Sequence, residues 1–272
     1  MGCTVGAKII GQTLLVFKNK DFKVESHSDK LSMEHSHAFG VYGVDLGTQQ
    51  MAGFSIGVNH HGLAAVNTNV LTTRAQLYDL ITERIVLEAR TVDDAIEICE
   101  QEIQGPTRYQ WCNMVVATPE ELVAIELTSS DLATVRSSDY VVRTNHHLIL
   151  KTADTIIDSD PDLDQHAISN SQIRYHNAEE VLKTTTSAEE IHSLLKSHHQ
   201  EAAICRHGQN TIQDLSYNTV YGYLVTVRID ERSEINFDAV KGPPCMQPLT
   251  RLGLEFPLTY SRQKQINARY PW

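Results

Sequence analysis

The sequence has too few basic residues for a protein whose main partner is nucleic acid or an anionic membrane. Its 23 lysines and arginines face 34 aspartates and glutamates, which gives a formal net charge of −11. Both of these partners require clustered Lys and Arg. The sequence also lacks any apolar run close to the roughly 20 residues that a membrane-spanning helix needs. We therefore expect a protein with neither nucleic acid nor a membrane as its partner.

Targeting signals and paired cysteines are missing as well. The apolar stretch 9–17 is broken by polar residues and has no basic head, unlike a secretory signal. Gly6 stands where a myristoylation signal needs Ser or Thr. The five cysteines lie far apart without a CxxC motif, which is typical of free thiols in a reducing compartment. We expect a cytoplasmic protein.

No linker rich in Pro, Gly or Ser divides the 272 residues, of which 41% are hydrophobic. A chain of this length and composition can bury one large core. The expectation is a single domain over residues 1–272.

The periodicity of apolar residues predicts both strands and helices. Strands are predicted at 8–17, 37–45, 51–58, 62–68, 111–117, 122–127, 132–135, 140–143, 218–228 and 235–240. Helices are predicted at 73–89, 95–103, 169–182 and 187–197. The polar residues 18–21 are expected to close the first strand, 154–164 to form a loop, and the tail after 242 to be irregular. This order of elements favours an α+β layered protein with antiparallel sheets.

Cys3 is the residue that points most directly to chemistry. If the residues before it are removed, its α-amine, with a pKa of roughly 8, can act as the base for its own thiol. Taken alone, a cysteine here is more often a buried structural thiol. Asp21 follows a strand expected to return beside Cys3, and Asn59 and Asn145 follow two other predicted strands. A pocket would form at these strand ends, and an Asn amide can stabilise an oxyanion.

Six short motifs add a resemblance to a known family. They are residues 2–4, 18–22, 57–63, 143–147, 171–174 and 204–207, and a closing motif follows at 242–245. Together they resemble the acyl-coenzyme A:6-aminopenicillanic acid acyltransferase family and, more distantly, the choloylglycine hydrolase and penicillin V acylase family. Both are N-terminal-nucleophile (Ntn) hydrolases. The resemblance implies a four-layer αββα sandwich in which two antiparallel sheets pack between helices.

The resemblance also implies roles for individual residues. Cys3 matches the nucleophile that self-cleavage releases after a glycine. Asp21 matches the carboxylate that holds the α-amine, although it could also be a plain turn residue. Asn145 matches the residue that donates to the oxyanion.

Three further positions match the choloylglycine branch. Asn59 resembles a second amide near the oxyanion hole, with a simple β-turn residue as the alternative. Arg174 resembles an arginine beside the ion network of the nucleophile, with a surface ion pair on a helix as the alternative. Lys18 stands where that branch has an arginine, and a lysine cannot make the bidentate fork of an arginine.

We therefore predict a cysteine hydrolase that cleaves a small linear amide, an N-acyl amine, through an acyl-enzyme at Cys3, with no cofactor and no metal. Acyl transfer from a thioester or amide to an amine is the alternative. If Met1 and Gly2 stay in place, Cys3 needs another base, for which His37, His60 and His146 are the candidates by residue type. The sequence leaves open whether the chain forms a homo-oligomer.

Pairs of histidines allow a second alternative, a His-ligated metal hydrolase. The pairs lie at 35 and 37, 60–61, 146–147 and 198–199. Adjacent histidines on a strand point to opposite sides, so each such pair offers one ligand at most, and no HExxH motif is present. A binding module that has lost its activity is a further alternative, against which Cys3, Asp21 and Asn145 argue.

Overall fold

The computed structural model describes residues 2–22, 27–44, 50–157, 161–198, 202–207, 217–229 and 234–272, with only the backbone of 156–157 and 161–165. The strands in these ranges are β1 (Thr4–Ile10), β2 (Thr13–Phe22), β3 (Ala38–Val44), β4 (Met51–Asn59), β5 (Ala64–Leu71), β6 (Trp111–Ala117), β7 (Leu122–Leu127), β8 (Leu132–Ser137), β9 (Tyr140–Arg143), β10 (Asn218–Arg228), β11 (Glu234–Lys241) and β12 (Thr250–Leu254). The helices are α1 (Asp79–Glu88), α2 (Val92–Gln104), α3 (Ala153–Ile157), α4 (Pro161–Thr184), α5 (Ala188–Leu195) and α6 (Tyr260–Arg269). None of these helices is long and apolar enough to cross a membrane.

The strands form two six-stranded antiparallel sheets. The first sheet has the order β12-β11-β10-β2-β1-β9, and the second has the order β3-β4-β5-β6-β7-β8. The second sheet is a simple meander, because each strand pairs with its neighbour in sequence. The predicted α+β class with antiparallel sheets is confirmed.

Period-two alternation along β2 separates two hydrophobic layers. Leu14 and Val16 face the second sheet and pack in one core with Phe39 and Ile56. The residues between them face the opposite way. Each sheet therefore buries one of its faces against the other sheet, and these two faces form the central interface of the molecule.

Helices cover the two outer faces of this pair of sheets. Leu15 of β2 packs with Leu182 of α4 and Ile191 of α5. On the far side, Ile85 of α1 packs against Met114 of β6, in a cluster that also includes α2. The four-layer αββα sandwich that the resemblance implied is confirmed.

The first predicted strand, 8–17, is in fact a hairpin. β1 ends at Ile10, Gly11 turns the chain with a φ of 59°, and β2 starts at Thr13. Residues 18–21, expected to close the strand, lie buried inside β2. The prediction was wrong because a turn of two residues between apolar strands leaves little trace in the apolar pattern. Thr4 pairs with Asn19 in this hairpin.

Three other segments also differ from their predictions. The helix expected from residue 73 begins only at Asp79. Residues 154–164, expected to be a loop, contain part of α3 and the start of α4, while 158–160 lie outside the described residues. The tail after 242 forms β12 and α6, which bury Leu252 and Ile266 in the central core. Tertiary packing stabilises these polar segments, whose own periodicity is weak.

Gly53 lets α1 approach β4 closely. Its φ is 66°, and a Cβ at this position would lie 2.1 Å from the carbonyl carbon of Asp79 and 2.2 Å from the backbone nitrogen of Leu80. No other residue type fits both this conformation and this spacing. The contact fixes the first turn of α1 against the sheet, and with it the position of Asp79.

We predict that Gly53→Ala lowers the free energy of unfolding by about 3 kcal/mol, because it adds an overpacked contact to the strain of a positive φ. Gly11→Ala is the matched control: its φ is 59°, but a Cβ there would meet nothing within 4 Å. It should cost only about 1 kcal/mol. Urea unfolding of both variants measures the difference, and equal losses would contradict the close approach.

Candidate active site

Cys3 lies just before β1, on the side of the first sheet that faces the second. It is 5% exposed and lines a pocket between the sheets. The polar residues that line this pocket include Lys18, Lys20, Asn67, Asn69, Tyr78 and Asp79. The alternation of β1 and β2 therefore brings Cys3 and Lys18, two of the predicted site residues, into one cavity.

Arg174 holds the backbone at Cys3. Its guanidinium is fully buried, and Nη1 donates to the carbonyl oxygen of Cys3 at 2.7 Å and to Oγ1 of Thr4 at 3.1 Å. Its Nε donates to Oδ1 of Asn170, one turn earlier on α4, at 3.0 Å. Burial and the nearby Arg206 lower the pKa of Arg174 to about 9, which still leaves it protonated at neutral pH. The structure thus brings Arg174 to the nucleophile candidate, as expected, and buries it completely.

Asn145 is the next link in the same chain of hydrogen bonds. Its Oδ1 accepts from Nη2 of Arg174 at 2.9 Å. Its Nδ2 donates to Oγ1 of Thr68 at 2.8 Å and to the carbonyl oxygen of Asn69 at 2.7 Å. Thr68 and Asn69 line the pocket, and Asn145 stands directly behind them. Donation from Asn145 to an oxyanion would have to replace one of these two bonds.

Asp21 lies on the opposite face of β2 from Lys18, next to Gly2. Its Oδ1 accepts from Oγ1 of Thr219 at 2.7 Å, and its Oδ2 lies 3.9 Å from Nε of Arg206. Among the described residues no group donates a hydrogen bond to Oδ2, although the atom is buried. A Cβ on Gly2 would lie 2.7 Å from this oxygen and 2.4 Å from Nη1 of Arg206. Only glycine therefore fits at position 2. Oδ2 of Asp21, which lies beside it, can accept one more hydrogen bond.

Burial raises the pKa of Asp21 to about 6, even though Arg206 and Arg174 act in the opposite direction. A buried carboxylate with an unsatisfied oxygen is costly. A positive amine at the start of Cys3 would supply the missing donor and charge. The site is therefore suited to an ammonium group at this position.

Lys18 forms part of a second buried cluster, on the pocket side. Its Nζ donates to the carbonyl oxygen of Asn67 at 2.8 Å and also to Oγ of Ser55. Nδ2 of Asn67 in turn donates to Oδ1 of Asp79 at 3.1 Å. Burial lowers the pKa of Lys18, which the charges of Cys3 and Asp79 oppose, and burial raises the pKa of Asp79 to about 6. These groups give the pocket a polar, charged wall beside Cys3.

The structure does not bring Asn59 to this pocket. Its Nδ2 donates to the carbonyl oxygens of Val86 at 3.1 Å and Ala89 at 2.8 Å, at the end of α1. Its Oδ1 accepts from the backbone nitrogens of His61 at 3.0 Å and Leu63 at 3.2 Å. The alternative reading, a residue that stabilises the turn, accounts for all four of these contacts.

The histidines considered as bases also lie elsewhere. His37 and His60 are exposed, with their rings 4.8 Å apart. His146 is buried, contacts Oγ of Ser171 at 2.9 Å, and has its pKa lowered to about 4 by burial and the nearby arginines. None of the three lines the Cys3 pocket.

Of the four histidine pairs, only His198 contributes to a group of potential metal ligands within the described ranges. Its companions there are Cys205, His207 and Cys245. None of the four residues lines the Cys3 pocket. A metal hydrolase with its metal in that pocket therefore finds no support in the arrangement of the described side chains.

Sequence reasoning missed several side chains of the site. Arg206 belongs to one of the recognised motifs but was given no role, and it contacts Asp21 and Asn170. Asp79 and Asn67 form the pocket wall. The only sequence signal for these two was a polar residue within an apolar strand or helix, which does not say what it contacts.

The comparison with protein families gives a match over most of the chain. The family described as AAT, acyl-coenzyme A:6-aminopenicillanic acid acyl-transferase, matches residues 11–221. The chain belongs to this family. Membership makes it an amide hydrolase or an acyltransferase. The matched stretch starts after Cys3, so the role of that residue stays a prediction.

A solved structure with the same fold is a mutant of the conjugated bile acid hydrolase from Clostridium perfringens. The TM-score is 0.54 at 9% sequence identity, and the match covers 94% of this chain and 97% of that chain. At this identity the likeness concerns the fold, which is that of an Ntn-hydrolase. A search of curated proteins found no match.

We predict that Asn59→Ala lowers the free energy of unfolding by about 3 kcal/mol, because it leaves buried backbone groups without partners. Below the unfolding transition its kcat should be unchanged. Asn59→Asp keeps the two accepted bonds but sets a buried carboxyl group against the carbonyl oxygens of Val86 and Ala89, so it should also lose stability, and more of it as the pH rises and the carboxyl ionises. A fall in kcat of about 10²-fold or more in the folded variant would instead indicate an oxyanion donor.

Asp21 should make stability depend on pH in the uncleaved chain. Its pKa is about 6 in the folded state and about 3.9 when unfolded. Binding of a proton by Asp21 therefore stabilises the folded state fully below about pH 4, and this stabilisation is lost as the pH rises through 6. In a Cys3→Ala background that prevents cleavage, Asp21→Asn should therefore gain up to about 3 kcal/mol relative to its parent between pH 4 and 7. Urea unfolding across this range measures the gain, and a constant difference would contradict the raised pKa.

Proposed function

We propose that the protein is a cysteine Ntn-hydrolase that cleaves a small N-acyl amine through an acyl-enzyme at Cys3. The observation that carries the proposal is the enclosure of the Gly2–Cys3 junction. Oδ2 of Asp21, which accepts no hydrogen bond from the described residues, lies beside Gly2, Arg174 binds the carbonyl of Cys3, and Cys3 lines the pocket. A structural thiol would need none of these contacts.

Release of the amine comes first in this mechanism. The thiol of Cys3 attacks the carbonyl carbon of Gly2, and the C–N bond of the peptide breaks as the nitrogen takes a proton. Water then hydrolyses the resulting thioester and leaves Cys3 with a free amine. Asp21, whose Oδ2 lies against Gly2, accepts a hydrogen bond from that amine in its ammonium form. Protonation of the amine offsets the cost of burying the Asp21 carboxylate.

In the catalytic cycle the neutral amine of Cys3 takes the thiol proton, and the thiolate attacks the acyl carbonyl of the substrate. The candidate donors to the oxyanion are Asn69 of the pocket wall and Asn145, which stands behind it. The amine of the substrate leaves with the proton, and water hydrolyses the thioester. Arg174 positions both ends of this arrangement, since it binds the backbone of Cys3 and the side chain of Asn145.

Acyl transfer is the second candidate, because the family that matches the chain is named for an acyltransferase. The two reactions share the acyl-enzyme and differ in whether water or an amine attacks it. We favour hydrolysis because no feature of the sequence marks a coenzyme A site.

We predict that Cys3→Ala lowers the rate of cleavage of N-acyl amines by about 10⁴-fold or more, since removing the nucleophile of such a site removes the covalent route. Cys99→Ala is the control, because Cys99 is a buried core thiol on α2, outside the pocket. Intact-mass measurement should find Cys3 at the N-terminus of the active parent. Activity that survives Cys3→Ala, or active enzyme that retains Gly2, would refute the proposal.

The substrates in this experiment are a panel of N-acyl amines and acyl thioesters, each with and without an acceptor amine. Free acid as the product in both conditions supports hydrolysis. A new amide that forms at the expense of the acid when the acceptor is present indicates a transferase.

A further inference from the structure

Two cysteines and two histidines meet beside the first sheet, outside the Cys3 pocket. Their ligand atoms all lie within 4.8 Å of one another. Nε2 of His207 lies 3.4 Å from Nε2 of His198 and 3.0 Å from Sγ of Cys245. Cys205 completes the group as its fully buried member. We call these four residues the Cys2His2 cluster.

Two of the distances within the Cys2His2 cluster come close to those around a tetrahedral zinc ion. Zinc binds His nitrogen at about 2.0 Å and Cys sulfur at about 2.3 Å. In a tetrahedron these lengths place two nitrogens about 3.3 Å apart and a nitrogen and a sulfur about 3.5 Å apart. The two imidazole nitrogens are already at the first distance, and the sulfur needs to move outward by about half an ångström to reach the second.

The charges of the cluster also suit a divalent cation. Two thiolates would neutralise Zn²⁺, and the two imidazoles would bind it in their neutral form. Two imidazole nitrogens that face each other can share only one hydrogen in the absence of a cation. A metal ion would bind all four ligand atoms together.

Hydrogen bonds outside the cluster hold its segments in place. The backbone nitrogen of Cys205 donates to the carbonyl oxygen of Ser197 at 3.0 Å, which keeps this segment beside His198. The backbone nitrogen of Gly242 donates to the carbonyl oxygen of Val220 at 2.7 Å and starts the turn that leads to Cys245. The ligands therefore come from three separate segments of the chain, each positioned by its own backbone contacts.

We propose that the Cys2His2 cluster binds a structural zinc ion. Four protein ligands fill a tetrahedral site and leave no open position, which distinguishes it from a catalytic zinc. The proposal departs from the sequence-based expectation that the protein has no metal. It does not depend on the role of Cys3, because binding of the metal is measured without activity.

The cluster has a direct connection to the active-site region. Arg206 lies between two of the ligands, Cys205 and His207, and reaches Asp21 and Asn170. Its backbone is paired with Thr219 through two hydrogen bonds of 2.8 Å. A zinc ion that binds both neighbours of Arg206 would fix this side chain against Asp21, at the junction of Gly2 and Cys3.

The test uses the full chain without a histidine tag, in a Cys3→Ala background so that the pocket thiol cannot bind metal. After purification with zinc under reducing conditions and removal of loosely bound ions, elemental analysis should find about one zinc per chain. The double variant Cys205→Ser/Cys245→Ser should contain less than a tenth of that amount. His61→Ala, which removes an exposed imidazole outside the cluster, should keep the zinc.

A spectroscopic measurement on the unaltered cluster tests the proposal even if the double variant does not fold. Cobalt bound to the chain in place of zinc should show the intense visible bands of tetrahedral coordination and a thiolate charge-transfer band in the near ultraviolet, and zinc should displace both. A chain that binds no zinc, a cobalt spectrum without thiolate bands, or a disulfide between Cys205 and Cys245 in freshly prepared protein would each overturn the proposal.

Discussion

The site depends on one buried side chain, the guanidinium of Arg174. It joins α4 to the start of β1 through the carbonyl oxygen of Cys3, and to the segment after β9 through Oδ1 of Asn145. Burying a guanidinium is costly unless its donors are satisfied, and Arg174 uses all three of its nitrogens. Loss of this residue would leave several buried acceptors unsatisfied at once.

The second constraint is the alternation along β2. Lys18 and Lys20 point toward the second sheet, into the pocket of Cys3. Asn19 and Asp21 point the other way, where Asn19 binds the carbonyl oxygens of Leu195 and Ile204. The thiol and the carboxylate therefore lie on opposite faces of the first sheet, and the backbone at Gly2 and Cys3 runs between them. In the proposed mechanism, cleavage of the bond between Gly2 and Cys3 releases the amine that takes the thiol proton and donates to the carboxylate.

The outer face of the first sheet also contains the proposed zinc site. Residues 202–207 approach this face through the contacts of Ile204 with Asn19 and of Arg206 with Asp21. A metal ion there would add a further restraint on Arg206, beside its hydrogen bonds with Thr219. The same short segment then links a structural site to the pocket on the other side of the sheet.

The sequence by itself determined the α+β class and most of the strands, because periods of two and of about four residues report directly which face of an element is buried. The four layers followed from the resemblance that its motifs carry. Its motifs also named Cys3, Asp21, Asn145 and Arg174, whose positions the structure connects through hydrogen bonds or burial around Gly2. Only the tertiary structure decided that Gly11 splits the first strand. A turn of two residues between apolar strands leaves little trace in the apolar pattern, and the pairing of β1 with β2 reveals it.

Contacts between residues far apart in sequence decided the rest of the site, and local patterns do not encode such contacts. Asn59 stands in a motif, yet its hydrogen bonds belong to a turn and a helix end, which could be seen only once α1 was in place. The Cys2His2 cluster draws its members from residues 198 to 245, at spacings that match no metal motif. The sequence thus supplied the residue types for the chemistry, and the packing of the two sheets decided which of them meet.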